Sequence, residues 1–166
     1  RLRWFPESGW PNPYDTFGVV GIQLTAFNTF VLICSSVSMV HVLAETINGN
    51  IKRARRWMLA TMFGGLFFLG VQGFEWSHLI HDKWPYLISD AAPVSYNFNF
   101  ASTFLTLTGF HGMHVAVGVM YNAIIYLGLK RGKIDQNNSH LVEIAGLYWH
   151  FVDLIWILVF TFVYLL

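Results

Sequence analysis

The sequence predicts an all-α integral membrane protein, a bundle of four transmembrane helices, and three observations carry that prediction. Of the 166 residues, 55% are hydrophobic and only 11% charged, against about 25% charged in a soluble domain; mean hydropathy is +0.48. Four apolar segments each exceed the roughly 20 residues that cross a bilayer core as a helix, and lipid offers an unpaired backbone no partner, which leaves helix as their state. Basic residues collect in alternate connections. A formal net charge of +1 gives no footing for nucleic acid.

Residues 1–17 read as an interfacial leader. Pro6, Pro11 and Pro13 oppose a regular helix, while Trp4 and Trp10 suit a membrane–water boundary. Arg1 opens the chain without a methionine and without a basic stretch leading into a cleavable apolar core. The expectation is therefore a processed terminus or part of a longer chain, with no signal peptide. The rest forms a single transmembrane domain within 1–166, with spans at about 18–43, 57–80, 98–129 and 141–166.

Lys52, Arg53, Arg55 and Arg56 separate the first two spans, and Lys130, Arg131 and Lys133 the last two. Only Arg1, Arg3 and Lys83 fall on the other side. The positive-inside rule then places the two basic loops in the cytoplasm or a mitochondrial matrix, with the C-terminus on the outer side. An outside amino terminus behind such a leader asks for one further span upstream that starts inside. Arg53, Arg55 and Arg56 are candidate contacts for anionic lipid headgroups, the plainer reading being that they only set orientation. The connection from His81 to Asn97, with Trp84, Pro85, Tyr86, Pro93 and Tyr96, reads as an outer loop with an aromatic belt.

Ionisable groups at membrane depth need a partner. Glu75, His111, His114, His150 and Asp153 are the candidates, with Gln72 and Asn122 as neutral company. Counting about 1.5 Å per residue from the basic ends puts Glu75 roughly 28 Å and His111 roughly 25 Å along their helices. His114 falls at roughly 21 Å, Asp153 at roughly 18 Å and His150 at roughly 13 Å by the same count. Matching levels predicts two pairs, Glu75 with His111 and His114 with Asp153. Gly64, Gly65, Gly70 and Gly73 on the second span and Gly109, Gly112 and Gly118 on the third mark where backbones approach closely. His111, Gly118 and Asn122 share one inward stripe, and Trp149 and Trp156 an adjacent ridge. Cys34, the single cysteine, excludes an internal disulfide and a thiolate cluster and is expected as a buried, inert thiol.

Three readings fit the ionisable cluster. It is a haem site with His111 or His114 facing His150, a proton or ion pathway, or a static polar network that locks the bundle and frames a lipid-facing cleft. The level mismatch of His150 weighs against the first. No nucleophile, phosphate loop or full metal-ligand set accompanies the carboxylates and imidazoles, so no catalytic residues are assigned.

Gly109-Phe110-His111-Gly112-Met113-His114-Val115 resembles the GFHGLHV-type signature of subunit III of haem-copper respiratory oxidases. Tyr148-Trp149-His150-Phe151-Val152-Asp153-Leu154-Ile155-Trp156 resembles the YWHFVDVVW-type signature of the same family's last helix. Phe74-Glu75-Trp76, Pro11-Asn12-Pro13 and Phe27-Asn28-Thr29 match the family in order and spacing, over about residues 10–166. The resemblance implies the last four helices of a five- or seven-helix subunit III fold, without the family's preceding helix.

The resemblance further implies a non-catalytic subunit that holds no haem or copper, those cofactors sitting in partner subunits. It would pack mainly on oxidase subunit I, with subunit II in the same complex, bind phospholipid in a cleft between helix groups, and support sustained turnover. The complex reduces oxygen to water and pumps protons, with electrons from cytochrome c or quinol. A supercomplex with a quinol-oxidising complex is a further partner on that reading. The C-terminal residues 159–166 look closer to bacterial than to mitochondrial forms, which favours a bacterial plasma membrane. The competing reading from another class is a stand-alone proton-conducting or transport protein, which should show internal repeats or broken helices; neither is evident.

Overall fold

The computed structural model describes residues 13–78, 81 and 94–162, with side chains placed over 22–77, 81 and 103–162. The leader's tryptophans and the aromatic residues of the 81–97 connection lie outside the described side chains. The described residues form four long helices, α1 (Pro13–Ile47), α2 (Ile51–His78), α3 (Val94–Lys130) and α4 (His140–Phe160), with a short 3-10 turn at Gln136–Asn138. Each holds a stretch long and apolar enough to cross a membrane: Ile22–Ile47, Ile51–Ser77, Thr103–Lys130 and His140–Phe160. The fold is an all-α membrane bundle.

The helices close a ring. α1 packs on α2, α2 on α3, α3 on α4, and α4 returns to α1. Short turns enforce the antiparallel neighbours. Gly49 takes φ +78° just past the end of α1, where Asn50 N–H donates to Glu45 O at 2.8 Å and Gly49 N–H to Thr46 O at 3.1 Å. Gly132, at φ +67°, ends α3 the same way, with Lys133 N–H on Gly128 O at 3.0 Å. Both are Schellman closures, in which a left-handed residue lets two amides satisfy the last carbonyls.

The first turn occupies only residues 48–50, so α2 begins at Ile51. Lys52, Arg53, Arg55 and Arg56 therefore lie on helix rather than in the loop where hydropathy alone placed them. Hydropathy drops at the first charge, but the backbone hydrogen bonds continue through it. At the other end, α4 runs from His140 to Phe160, and residues 163–166 of the expected span lie outside the described residues.

The ring's interior is filled by large side chains. Trp149, Trp156, Phe68, Leu32, Met39 and Met58 are all essentially inaccessible. Glycine makes that packing feasible. A Cβ on Gly65 would lie 2.5 Å from Trp149 Cη2, one on Gly118 2.9 Å from the other edge of the same indole, and one on Gly64 2.6 Å from Ser35 Cβ. The expectation of close approach holds at those positions and at Gly109, which faces Trp76. Gly70 and Gly73 meet nothing within 4 Å, because they turn to the outside of the ring. Cys34 is likewise exposed, contrary to the buried thiol expected. Its neighbours Leu32, Ser35 and Ser36 hold the inward face of α1, and one residue is a step of about 100° around the helix.

Substituting valine for Gly65 or Gly118 should overpack the Trp149 notch and cost about 1–3 kcal/mol, read as a lowered unfolding temperature of the membrane-embedded protein. Gly70→Ala should be neutral or slightly stabilising, because a helical glycine is entropically costly and its site is open.

Candidate functional site

Three indoles fasten the ring, and each does so by the same local chemistry. On α1, the Thr29 hydroxyl donates to Thr25 O one turn back at 2.8 Å and accepts Trp156 Nε1–H from α4 at 2.9 Å. Ser35 donates to Leu32 O at 2.6 Å and accepts Trp149 Nε1–H at 3.1 Å. On α3, Thr108 donates to Phe104 O at 2.7 Å and accepts Trp76 Nε1–H from α2 at 3.1 Å. A hydroxyl in an apolar helix spends its proton on the preceding turn, which leaves its lone pairs for a neighbour. An indole N–H is donor only and needs such an acceptor when buried.

All four helices meet around Trp156. Its ring lies 4.7 Å from the His111 imidazole of α3 and 4.7 Å, edge-on, from Phe68 of α2, whose ring also faces His111 at 5.5 Å. Asn28 of α1 donates to Phe68 O at 3.3 Å. Two turns earlier on α4, Trp149 repeats the arrangement between Ser35, Gly65 and Gly118.

The structure connects the predicted polar residues differently from the level-matched pairs. Glu75, half-buried on α2, accepts a hydrogen bond from the Thr25 hydroxyl of α1. His111 is 4% exposed, packs on Trp156 and Phe68, and its Nε2 has no hydrogen-bond partner among the described residues. The Glu75–His111 pair is not formed. His114, three residues further along α3, turns into the groove between α3 and α4 that Phe110, Phe151 and Ile155 also line. There its Nδ1 meets Phe110 O at 2.8 Å, so the His114–Asp153 pair is not formed either.

Asp153 is buried beside Ser36 of α1 and His150 one turn back on α4, while its Oδ1 and Ser36 Oγ stay outside hydrogen-bond geometry. Rise along the helix sets only the level of each group. The ring order sets its azimuth, which turns Glu75 toward α1, His111 toward α4 and Asp153 toward α1. The inward stripe of His111, Gly118 and Asn122 is buried, as are Trp149 and Trp156.

Sequence reasoning missed the hydroxyls. Thr25, Thr29, Ser35 and Thr108, with the Asn28 amide beside them, lie inside spans, and those on α1 recur at helical spacing on one face. That stripe of small polar residues was the available signal. The basic residues divide. Lys52, Arg53 and Arg56 are exposed and Arg55 is half-buried, with Arg53 Nη1 3.9 Å from Glu45 Oε1. Among the described residues, no group of three or more His, Cys, Asp or Glu converges as metal ligands.

The family model described as cytochrome c oxidase subunit III matches residues 7–166. The chain belongs to the cytochrome c oxidase subunit III family. Cytochrome c oxidase subunit 3 of Alkalihalophilus pseudofirmus is 34% identical over 148 residues, covering 89% of this chain and 68% of that protein. Quinol oxidase subunit 3 of Bacillus subtilis is 32% identical, covering 87% of this chain and 67% of its own length. The probable cytochrome c oxidase subunit 3 of Rickettsia felis is 32% identical, at 98% and 55%. The chain thus spans between about half and two thirds of the length of these subunit III relatives.

If the indole bonds hold α4 in the ring, Ser35→Ala should cost about 1 kcal/mol, the order found for interhelical hydrogen bonds in membranes. Ser35→Ala with Trp149→Phe should cost less than the sum of the two single changes, because the second removes the donor that the first orphaned. Denaturation of the four proteins in one detergent provides the cycle.

Proposed function

We propose that this chain is the helical body of a non-catalytic subunit III in a haem-copper respiratory oxidase, packed mainly on subunit I with subunit II in the same complex. The observation that carries this reading is the family match from residue 7 to residue 166, laid over an interior built for packing. His111 is packed between Phe68 and Trp156 and Glu75 is bonded to Thr25 across α1 and α2, which supports the reading of a static lock. The outward faces of α1–α4 carry exposed side chains such as Phe30, Phe63, Phe110 and Phe151, suited to lipid and to transmembrane helices of partner subunits.

Haem and copper belong to those partners on this reading, and the oxidase reduces oxygen with electrons from cytochrome c or quinol. The two basic helix ends face the cytoplasm of a bacterium and the C-terminus faces outward. Relatives of both kinds, cytochrome c oxidase subunit 3 and quinol oxidase subunit 3, support either donor.

Extraction of the tagged full-length protein in mild detergent tests the proposal. Haem-bearing partner chains should co-purify, with the oxidase's Soret band, and the chain reconstituted alone should conduct no protons. Proton flux through the isolated chain, or its purification free of haem proteins, would overturn it.

A second expectation concerns Glu75. Glu75→Ala removes the hydrogen bond between Thr25 of α1 and Glu75 of α2, at about 1 kcal/mol for an interhelical bond in a membrane. The assembled oxidase should inactivate faster in turnover assays while its initial oxygen consumption persists. Loss of oxygen reduction in a fully assembled, cofactor-replete variant would contradict the supporting role.

A further inference from the structure

The outward groove between α2 and α3 holds a polar group that the ring leaves unsatisfied. Gln72 is 4% exposed, and neither its Oε1 nor its Nε2 has a hydrogen-bond partner among the described residues. It sits within Ile51–Ser77, a stretch apolar enough to cross a membrane, where hydrocarbon offers a carboxamide nothing. Burying such a group is unfavourable until something both donates to it and accepts from it. The nearby polar groups are already engaged. Trp76 Nε1–H is bound to Thr108, whose own hydroxyl donates to Phe104 O.

Gln72 lines a cavity of about 230 Å³, walled by Leu69, Gln72 and Gly73 of α2 and by Gly109, Gly112 and Met113 of α3. Two of its glycines are open. A Cβ on Gly73 would meet nothing within 4 Å, and one on Gly112 only Leu69 Cδ2 at 3.9 Å. Neither is required for the packing of α2 on α3, whereas Gly65 and Gly118 make room for Trp149. In a membrane, small residues facing outward let a further backbone come close. Met113, 51% exposed at the rim, is a flexible side chain that adapts to an incoming surface.

The groove between α1 and α2 provides the contrast. Leu24, Phe67, Gly70, Val71 and Phe74 line it, and Gly70 is as open as Gly73, but none of these side chains carries a polar atom. Acyl chains satisfy that groove completely. They cannot satisfy Gln72, because hydrocarbon neither donates nor accepts. The carboxamide therefore selects polypeptide over a lipid tail, and polypeptide exposed at this depth must be helix.

We propose that the α2–α3 groove receives one transmembrane helix of a partner subunit. That helix crosses the open backbone at Gly73 and Gly112 and sets a carboxamide or hydroxyl against Gln72, which exchanges hydrogen bonds with it. Partner helices in the same membrane follow from the reading of this chain as an oxidase subunit, on which the proposal rests.

The test uses the purified complex with the full-length protein, in which p-benzoylphenylalanine replaces Met113. Irradiation should join this chain to one transmembrane segment of a partner subunit. Peptide mass spectrometry should place the adduct within a turn of an Asn, Gln, Ser or Thr of that segment. Gly73→Leu, which fills the groove, should lower the adduct about tenfold. Gln72→Leu, which removes the hydrogen bonds at similar bulk, should lower it roughly three- to tenfold, and Gly70→Leu should leave it unchanged. Adducts confined to lipid, detergent or the protein's own chain overturn the proposal, as does a partner segment without a polar side chain at that level. A Gly73→Leu yield equal to that of the open groove, or a Gly70→Leu loss as large as that of Gly73→Leu, overturns it too. Should the leucine variants fail to assemble, the position of the adduct in the otherwise unaltered chain decides alone. Haem absorbance in the same preparation reports separately whether the oxidase reading stands: a haem-free complex with the expected adduct would keep the groove and remove the oxidase.

Discussion

The bundle depends on one repeated interaction: an indole N–H bound to a hydroxyl that has already spent its own proton on its helix. Between apolar helices in lipid, burial of hydrocarbon gives no preference for one neighbour over another, and packing and hydrogen bonds decide the partner. Trp149 and Trp156 tie α4 to α1 through Ser35 and Thr29, and Trp76 ties α2 to α3 through Thr108. The first two bonds close the ring, since α1 and α4 are far apart in sequence.

Glycine and indole are two halves of the same device. Trp149 is too large to lie between α2 and α3 unless both lose their side chains where it passes, and Gly65 and Gly118 are those positions. Trp156 has no such notch and stacks instead on His111 and Phe68. The imidazole in the opening of the long signature therefore serves as a flat packing surface at the level where all four helices meet. Such an interior suits a supporting subunit whose outer faces do the binding.

Much of this was legible in the sequence. Apolar length gave the four helices, and periodicity gave the inward stripe of His111, Gly118 and Asn122 and the ridge of Trp149 and Trp156. Pairing was not legible. Rise per residue fixes the height of Glu75 and His111, but the direction each faces depends on which helix neighbours which, and that is a property of the closed ring. The start of α2 was hidden because four basic residues end a hydropathy window without ending a helix. The hydroxyls were visible and undervalued, since serine and threonine scarcely change the hydropathy of a span while supplying the acceptors that Trp76, Trp149 and Trp156 need.

The most direct measurement is hydrogen exchange at the indole nitrogens of the membrane-embedded protein, by NMR of indole-15N tryptophan with each resonance assigned by Trp→Phe substitution. If the indoles are the bolts of the ring, Trp149 and Trp156 exchange far more slowly than Trp57 at the boundary, and each loses its protection in the variant lacking its own acceptor, Ser35→Ala or Thr29→Ala. Exchange of Trp149 and Trp156 as fast as that of Trp57, or protection indifferent to those two hydroxyls, would contradict the account.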